Sequence, residues 1–353
     1  DQIGQELSLA TPVSQFVRVN LPDESFVASK INSSDLGDGS FSWSGQLIGR
    51  NGGFLSFAKV RGYVNGSITL SSGTGYSFKG GAGKLNFQSG FAQAKACGGC
   101  KFEKGELPPD PRKAAQPLKS WRNGDANLID LLVVYPSAVR SEAGSTAAVE
   151  AAIASAVADS NLCYRSSLVP MQLRVVHMAE VTYTPTGLLD TDLSRLKNPS
   201  DGSMDNVHTL RDQYGADLVS LLTTTSDAGG LASTMQHPSH NFESSGFNVN
   251  VWDQLGAPSY TLAHEIGHNM GCLHNREDST WDSDYELSAF CFGKRWYQGG
   301  QGYRTVMSYD SDPASYGNRI PFFSNPNVSH LGTPVGNAGT EDNAQVLSIT
   351  APY

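Results

Sequence analysis

The sequence predicts an α/β protein: a mixed, mostly parallel twisted sheet with helices, preceded by a small, mainly antiparallel β domain. Three observations predict it. Residues 1 to about 92 carry short alternating runs separated by glycine and asparagine, the period-2 pattern of antiparallel strands. From about residue 127, apolar runs of strand length alternate with helical segments, which implies right-handed crossovers and parallel strands. Between the two lies a proline-rich, charged stretch that suits neither.

Taken in order, the alternating runs SFVASKI, SFSWSGQLIG, GFLSFAKVRGYV, GSITLSS and GYSFKGGAGKLNFQ place the β domain over residues 1–95. No blade or solenoid period is evident in them. Residues 96–126 change texture to Cys-Gly-Gly-Cys, charged residues and LPPDPRKAAQP. Proline restricts itself and its predecessor, so an extended, exposed linker is expected there, a protease target with the dibasic Arg112-Lys113. The second domain then covers residues 127–353. LIDLLVVYP (128–136) is a continuous apolar run suited to a strand covered on both faces. The alanine-rich stretch 145–164 opens with Ser and Thr and predicts a long helix. Strands are expected over 171–183 and 216–224, with helices over 187–197 and 203–214 between them. Residues 229–235 and 247–252 complete the sheet, one as an antiparallel edge, and helices follow at about 259–271 and 341–350.

Composition sets the outer bounds. The 353 residues are 39% hydrophobic and 17% charged, ordinary for globular domains able to bury a core. No run reaches the roughly 18 apolar residues of a membrane helix. The net charge of −9 disfavours nucleic acid as a partner. Its distribution is uneven: residues 1–120 hold 13 Lys+Arg against 9 Asp+Glu, or +4, and residues 121–353 hold 12 against 25, or −13. A basic N-terminal part docking on an acidic C-terminal part fits that split.

The segment His264-Glu-Ile-Gly-His-Asn-Met-Gly-Cys-Leu-His274 has the form HExxHxxGxxH. Histidines four apart share a helix face and can donate two ring nitrogens to one metal ion. Glu265 is set to take a proton from a metal-bound water, and Gly271 can turn the chain so that His274 returns as a third ligand. Three histidines and one open position make a catalytic zinc site. Of five cysteines, Cys272 and Cys291 are expected to pair in an oxidising compartment, which leaves Cys97, Cys100 and Cys163.

HEIGHNMGCLH resembles the extended zinc motif of the metzincin metalloproteases, and Arg304-Thr-Val-Met307-Ser-Tyr309 resembles their methionine turn. LIDLLVVYPSAVR, LRVVHMAEVTY, SDGSMDNVHTLRDQYGADLVSLL and FFSNPNVSHLGTPVG are similar to the bacterial peptidyl-Asp metalloendopeptidases, relatives of the reprolysin/ADAM branch. The resemblance covers about residues 126 to 353. One departure is Asn275, where reprolysins usually carry Asp after the third histidine.

The resemblance implies a metzincin catalytic domain in two subdomains, one catalytic Zn2+, and protein or peptide substrates held extended in a cleft. It implies a secreted monomer with its signal segment already removed; the N-terminus DQIGQELSLA lacks a signal layout. Met307 becomes an apolar floor under the histidines. Tyr309 stands where astacins and serralysins carry a tyrosine near zinc, to ligate the metal or donate to the oxyanion; reprolysins work without it, and an ordinary packed tyrosine is the alternative. A Cys-Gly ahead of the catalytic domain resembles a cysteine switch, with Cys97 as the sulfur on zinc and Cys100 as the alternative, or else a Cys97–Cys100 or Cys163 disulfide. The N-terminal domain is then a prodomain acting as an intramolecular inhibitor. Cleavage before acidic residues is implied as well, with Lys294, Arg295, Arg304 or Arg319 as the cation in the pocket. Asp278, Asp282, Asp284 and Glu286, and separately Asp201 and Asp205, invite Ca2+, but no EF-hand spacing is present and solvated loops are preferred. The rival functions are an inactive zinc-containing binding or adhesion protein, and an active protease whose N-terminal β domain is a binding module.

Overall fold

The computed structural model describes the chain apart from residues 1–9, 22–23, 51, 73, 82–83, 91–95, 103–126, 225, 280–286, 288 and 311–315, and apart from the side chains of 100–102. Of the expected linker, residues 96–102 are described, while 103–126, with Arg112 and Lys113, lie outside the described residues. So do Asp282, Asp284 and Glu286.

The N-terminal region is a seven-stranded antiparallel meander, β1 (Phe16–Asn20), β2 (Ser25–Gly37), β3 (Ser40–Leu47), β4 (Phe54–Val60), β5 (Tyr63–Thr69), β6 (Gly75–Gly81) and β7 (Asn86–Ser89) in sequence order. Alternation aims Trp43, Leu55, Phe57, Ile68 and Phe78 into one core. Trp43 stacks on Phe57 with ring centroids 5.8 Å apart, and its Nε1 donates to the Ser14 carbonyl at 3.0 Å. Gly45 makes room for that indole, since a Cβ there would sit 2.4 Å from the ring.

A short strand, β8 (Cys100–Phe102), precedes the second sheet. That sheet continues with β9 (Asn127–Pro136), β10 (Met171–Val181), β11 (Leu218–Thr223), β12 (Gly230–Thr234) and β13 (Phe247–Val251), in the order β10-β9-β11-β13-β12-β8. Strands β10, β9, β11 and β13 run parallel and β12 runs antiparallel to β13, as the alternating pattern predicts. Strand β8 then adds outside β12, parallel to it. The helices are α1 (Ser137–Ala143), α2 (Thr146–Ser166), α3 (Leu189–Lys197), α4 (Asn206–Tyr214), α5 (Thr261–Asn269) and α6 (Asn343–Thr350). Helix α1 was not anticipated, because it follows β9 without a loop and its sequence SAVRSEA has no long apolar repeat. Gly144, at φ 90°, closes it in the left-handed conformation that glycine tolerates. Among the described residues no helix is long and apolar enough to cross a membrane.

Helix α2 joins the two parts of the molecule. Ser145 caps it by accepting from the Ala148 N–H at 3.1 Å, and apart from Glu150 its residues from Ala148 to Tyr164 are buried on every side. One face covers the parallel sheet; on the other, Ala151 and Ala154 meet Ala58 and Val60 of β4. Alanine therefore does more than favour helix, since its small side chain lets the N-terminal sheet approach closely. The expected docking of a basic part on an acidic one is mainly apolar in fact: Phe54 packs with Leu162, Tyr303, Ile320, Phe322 and Val335, while the ion pair Arg61–Glu150 at 3.2 Å keeps its guanidinium in solvent.

After α5 the chain is irregular, with short strands that include β14 (Leu273–Asn275), β15 (Phe292–Gly293), β16 (Arg295–Gln298), β17 (Gln301–Arg304) and β18 (Asn318–Arg319).

Candidate metal centre

Every residue of α5 is buried, so its polar members must find partners or meet a ligand. His264 and His268 project from one face of it. At its end Gly271, with φ 91°, bends the chain into β14, and Leu273 is held by donating to the Cys291 carbonyl at 2.7 Å. That bend returns His274 to the same point. The three Nε2 atoms lie 3.2 Å (His264–His274), 3.2 Å (His264–His268) and 3.0 Å (His268–His274) apart. His264 Nδ1 faces the Val306 carbonyl at 2.9 Å and His268 Nδ1 faces that of Cys272 at 2.8 Å. A carbonyl only accepts, so each Nδ1 carries the proton and each of these Nε2 atoms presents a lone pair. Burial pushes the imidazole of His268 down to about 4 and those of His264 and His274 well below the usual range, which keeps all three neutral.

Cys97 completes the cluster. Its sulfur is 3.7 Å from His268 Nε2, and all four candidate ligand atoms lie within 4.8 Å of one another. The backbone explains the position: Gly98 donates to the Gly230 carbonyl at 2.8 Å and Gly229 donates to that of Ala96 at 2.8 Å, so residues 96–102 run along the free edge of β12. Of the two sequence candidates, then, Cys97 reaches the histidines. Cys100 stands opposite Ala232 in the strand pairing, and its side chain lies outside the described residues.

Glu265 is fully buried between this cluster and β12. Its Oε2 accepts from the Cys97 thiol at 3.7 Å, its Oε1 has no hydrogen-bond partner among the described residues, and burial raises the carboxyl to about 8. Gly230 leaves space for it, since a Cβ at that position would come 2.5 Å from Oε1. Below the histidines Met307 is buried against Gly267, where a Cβ would fall 2.5 Å from its sulfur. The ring of Tyr309 stacks on His274 at 3.8 Å and its hydroxyl donates to the Cys97 carbonyl at 3.2 Å. Asn275, the departure from the reprolysin pattern, accepts from the Tyr309 N–H at 3.0 Å and donates to the Glu277 and Asp278 carboxylates at 2.8 and 3.0 Å, which an aspartate could not do.

Other sequence-predicted residues fall elsewhere. Cys272 and Cys291 form no disulfide: the pairing of β14 with β15 brings their backbones together, but both are buried thiols, and Cys272 donates to the Asn343 carbonyl at 3.8 Å. Cys163 is a buried thiol in α2 and does not pair with Cys97. Lys294 staples a loop by donating to the Pro334 and Gly336 carbonyls at 2.8 and 3.3 Å. Arg295 is engaged by Asp278 at 3.0 Å and Glu277 at 3.6 Å. Arg304 and Arg319 lie instead in adjacent strands beside the cluster. Asp201 and Asp205 accept from the Ser203 and Gly202 N–H groups, as turn-forming residues do.

One set of residues escaped sequence reasoning. Asn269 of α5 donates to the Ser233 and Phe247 carbonyls at 2.8 and 3.0 Å and accepts from Asn248 at 2.8 Å, which bolts the helix to the sheet. The signal was the polar Asn248 and Asn250 inside an otherwise apolar strand.

Residues 125–324 match the family Reprolysin_5, metallo-peptidase family M12. The chain belongs to metallopeptidase family M12. This M12 chain is 35% identical over 229 residues to a peptidyl-Asp metalloendopeptidase of Stenotrophomonas maltophilia, covering 65% of this chain and 52% of that protein. A peptidyl-Asp metalloendopeptidase of Xanthomonas campestris is 32% identical over 245 residues, covering 69% and 54%. The M12 chain thus spans about half the length of the curated relatives it matches. A solved chain described as part of a chaperone-substrate complex matches at a TM-score of 0.48 and 21% identity, over 84% of this chain and 38% of that one.

Proposed function

We propose that this M12 chain is a secreted zinc endopeptidase of the metzincin type, held latent by its own N-terminal residues. The observation that carries the reading is the convergence of the imidazoles. In the tautomers set by Val306 and Cys272, the Nε2 atoms of His264 and His268 cannot donate to each other at 3.2 Å, so their lone pairs need a cation. Tetrahedral ligands about 2.05 Å from zinc stand about 3.3 Å apart, close to the observed 3.0–3.2 Å, and a thiolate at about 2.3 Å stands about 3.6 Å from a histidine nitrogen. The donor set of three imidazoles and one thiolate suits zinc.

His264, His268 and His274 would hold zinc, which would supply Lewis acidity toward a substrate carbonyl and lower the pKa of a water toward neutrality. Glu265 takes the proton of the attacking water and delivers it to the leaving amine. The Tyr309 hydroxyl, once released from the Cys97 carbonyl, is placed to donate to the developing oxyanion.

Latency has two supports. Cys97 would supply the fourth ligand beside the three histidines, and residues 96–102 cover the edge of β12 with which an extended substrate would pair through its main chain. The seven-stranded sheet anchored on α2 acts as the prodomain that holds this segment in place, and cleavage within 103–126 frees it. The names of the relatives support a preference for aspartate at the cleaved bond. Incubating the chain with a protein substrate, with and without a chelator, before and after limited proteolysis, tests the reading. Chelator-sensitive cleavage that arises only after processing is expected; chelator-resistant cleavage sinks it.

A further inference from the structure

Two arginines lie side by side under the turn that carries Met307. Arg304 of β17 and Arg319 of β18 are partners in the strand register. Both donate to the same carbonyl, that of Ser308, each at 3.2 Å, and Arg319 also donates to the Ser259 carbonyl. Arg319 is only 7% exposed. The Nε–H of each is buried and has no acceptor among the described residues, and neither guanidinium has a carboxylate within ion-pair distance among them.

Such an arrangement is incomplete by itself. Buried charges are ordinarily paired, and here two like charges oppose each other. Burial lowers the pKa of both, Arg304 to about 9, and each is reached by the charge of Asp310. Asp310 is held aside, however, accepting the Tyr316 N–H at 2.6 Å. Arg319 is also within reach of Glu265, Cys97 and Tyr309, which puts the pair at the metal centre. Ser308 lies between Met307 and the Tyr309 that stacks on His274.

We infer that Arg304 and Arg319 form the subsite for the acidic side chain of the residue that follows the scissile bond, their unpartnered Nε–H groups receiving its carboxylate. The inference rests on the protease reading above. Each guanidinium offers one Nε–H, so a carboxylate can accept from both with its two oxygens, whereas a neutral amide of the same shape has only one acceptor oxygen and no charge. The subsite therefore selects Asp over Asn by charge and not by size. Of the four cations the sequence offered, Lys294 and Arg295 are already occupied, so the selection falls to these two.

The test uses the chain after proteolysis within 103–126 and two peptides that differ only in Asp or Asn after the cleaved bond. The ratio of their kcat/KM values is expected to favour Asp and to fall about 10- to 100-fold in Arg304→Gln and in Arg319→Lys, the loss of a charged hydrogen bond. The melting temperature identifies a variant that does not fold, and Arg304→Gln, which removes fewer backbone contacts, then decides. Binding of both peptides to the processed Glu265→Gln chain is measured separately, and the Asp peptide is expected to bind more tightly until Arg304 is replaced. Cleavage without an Asp advantage overturns the subsite and leaves the protease standing. An Asp advantage in binding without any cleavage keeps the subsite and overturns the protease. An unchanged ratio in the folded variants, as expected if Asp310 already neutralises the pair, also overturns the subsite.

Discussion

The sulfur of Cys97 lies 3.7 Å from Nε2 of His268, although 171 residues separate them in the chain. Locally its thiol also donates to the Gly99 carbonyl at 3.5 Å. Its neighbours are pinned to β12 by Gly98 and Gly229, so the contact belongs to an added edge strand. Replacing Cys97 by Ala should leave that strand in place and open only the metal position. The unprocessed Cys97→Ala chain should then cleave a short peptide at least about 10-fold faster than the unprocessed parent. Equal inactivity in a fluorogenic peptide assay would mean that the strand alone blocks the site.

Gly230 leaves room for Glu265 because a Cβ there would come 2.5 Å from Oε1. Gly230→Ala should displace the carboxylate while the three histidines stay in place. Peptidase activity should fall by about 100-fold or more, as expected for losing a general base, with zinc content unchanged. Parallel metal analysis and kinetics check it, and a fully active variant would show that Glu265 has slack.

Asn269 ties α5 to β12 and β13 through three buried hydrogen bonds. Asn269→Ala strands the amide of Asn248 and two carbonyls, at a cost of about 2–4 kcal/mol. Chemical denaturation should show the loss, and a change below about 0.5 kcal/mol would contradict the role.

Asp159 of α2 is buried between the two sheets, its Oδ2 accepting from the Ala257 N–H at 2.9 Å, with Ser56 the nearby hydroxyl on the N-terminal sheet. Burial pushes its carboxyl up to about 6. The folded pKa lies above the unfolded one of about 3.9, so the unfolded chain releases the proton first. Stability should thus be fullest below pH 4 as far as this group is concerned, decline as pH rises to about 6, and level off above. Over that window it contributes about 3 kcal/mol. Asp159→Asn should flatten that part of the pH profile and stabilise the chain at neutral pH; denaturant midpoints from pH 4 to 8 measure it, and an unaltered slope would dismiss it.

Much of this was legible beforehand. The period-2 runs before residue 92, the apolar strand 128–136 and the HExxHxxGxxH spacing each depend on local pattern, and each appears where the pattern puts it. Long-range placement was not legible. That Ala151 and Ala154 receive a second sheet, that Arg304 faces Arg319, and that Asn248 meets Asn269 depend on strand order and helix docking, which no local window holds. The Cys272–Cys291 disulfide shows the opposite failure: the two residues are neighbours, as their spacing suggested, yet both remain thiols.

Zinc K-edge X-ray absorption on the unprocessed, zinc-loaded chain tests the central claim most directly. Three nitrogen ligands near 2.0–2.1 Å and one sulfur near 2.3 Å are predicted, with the sulfur replaced by oxygen after cleavage within 103–126. A zinc shell without sulfur before cleavage, or one that keeps sulfur in the active enzyme, would contradict it.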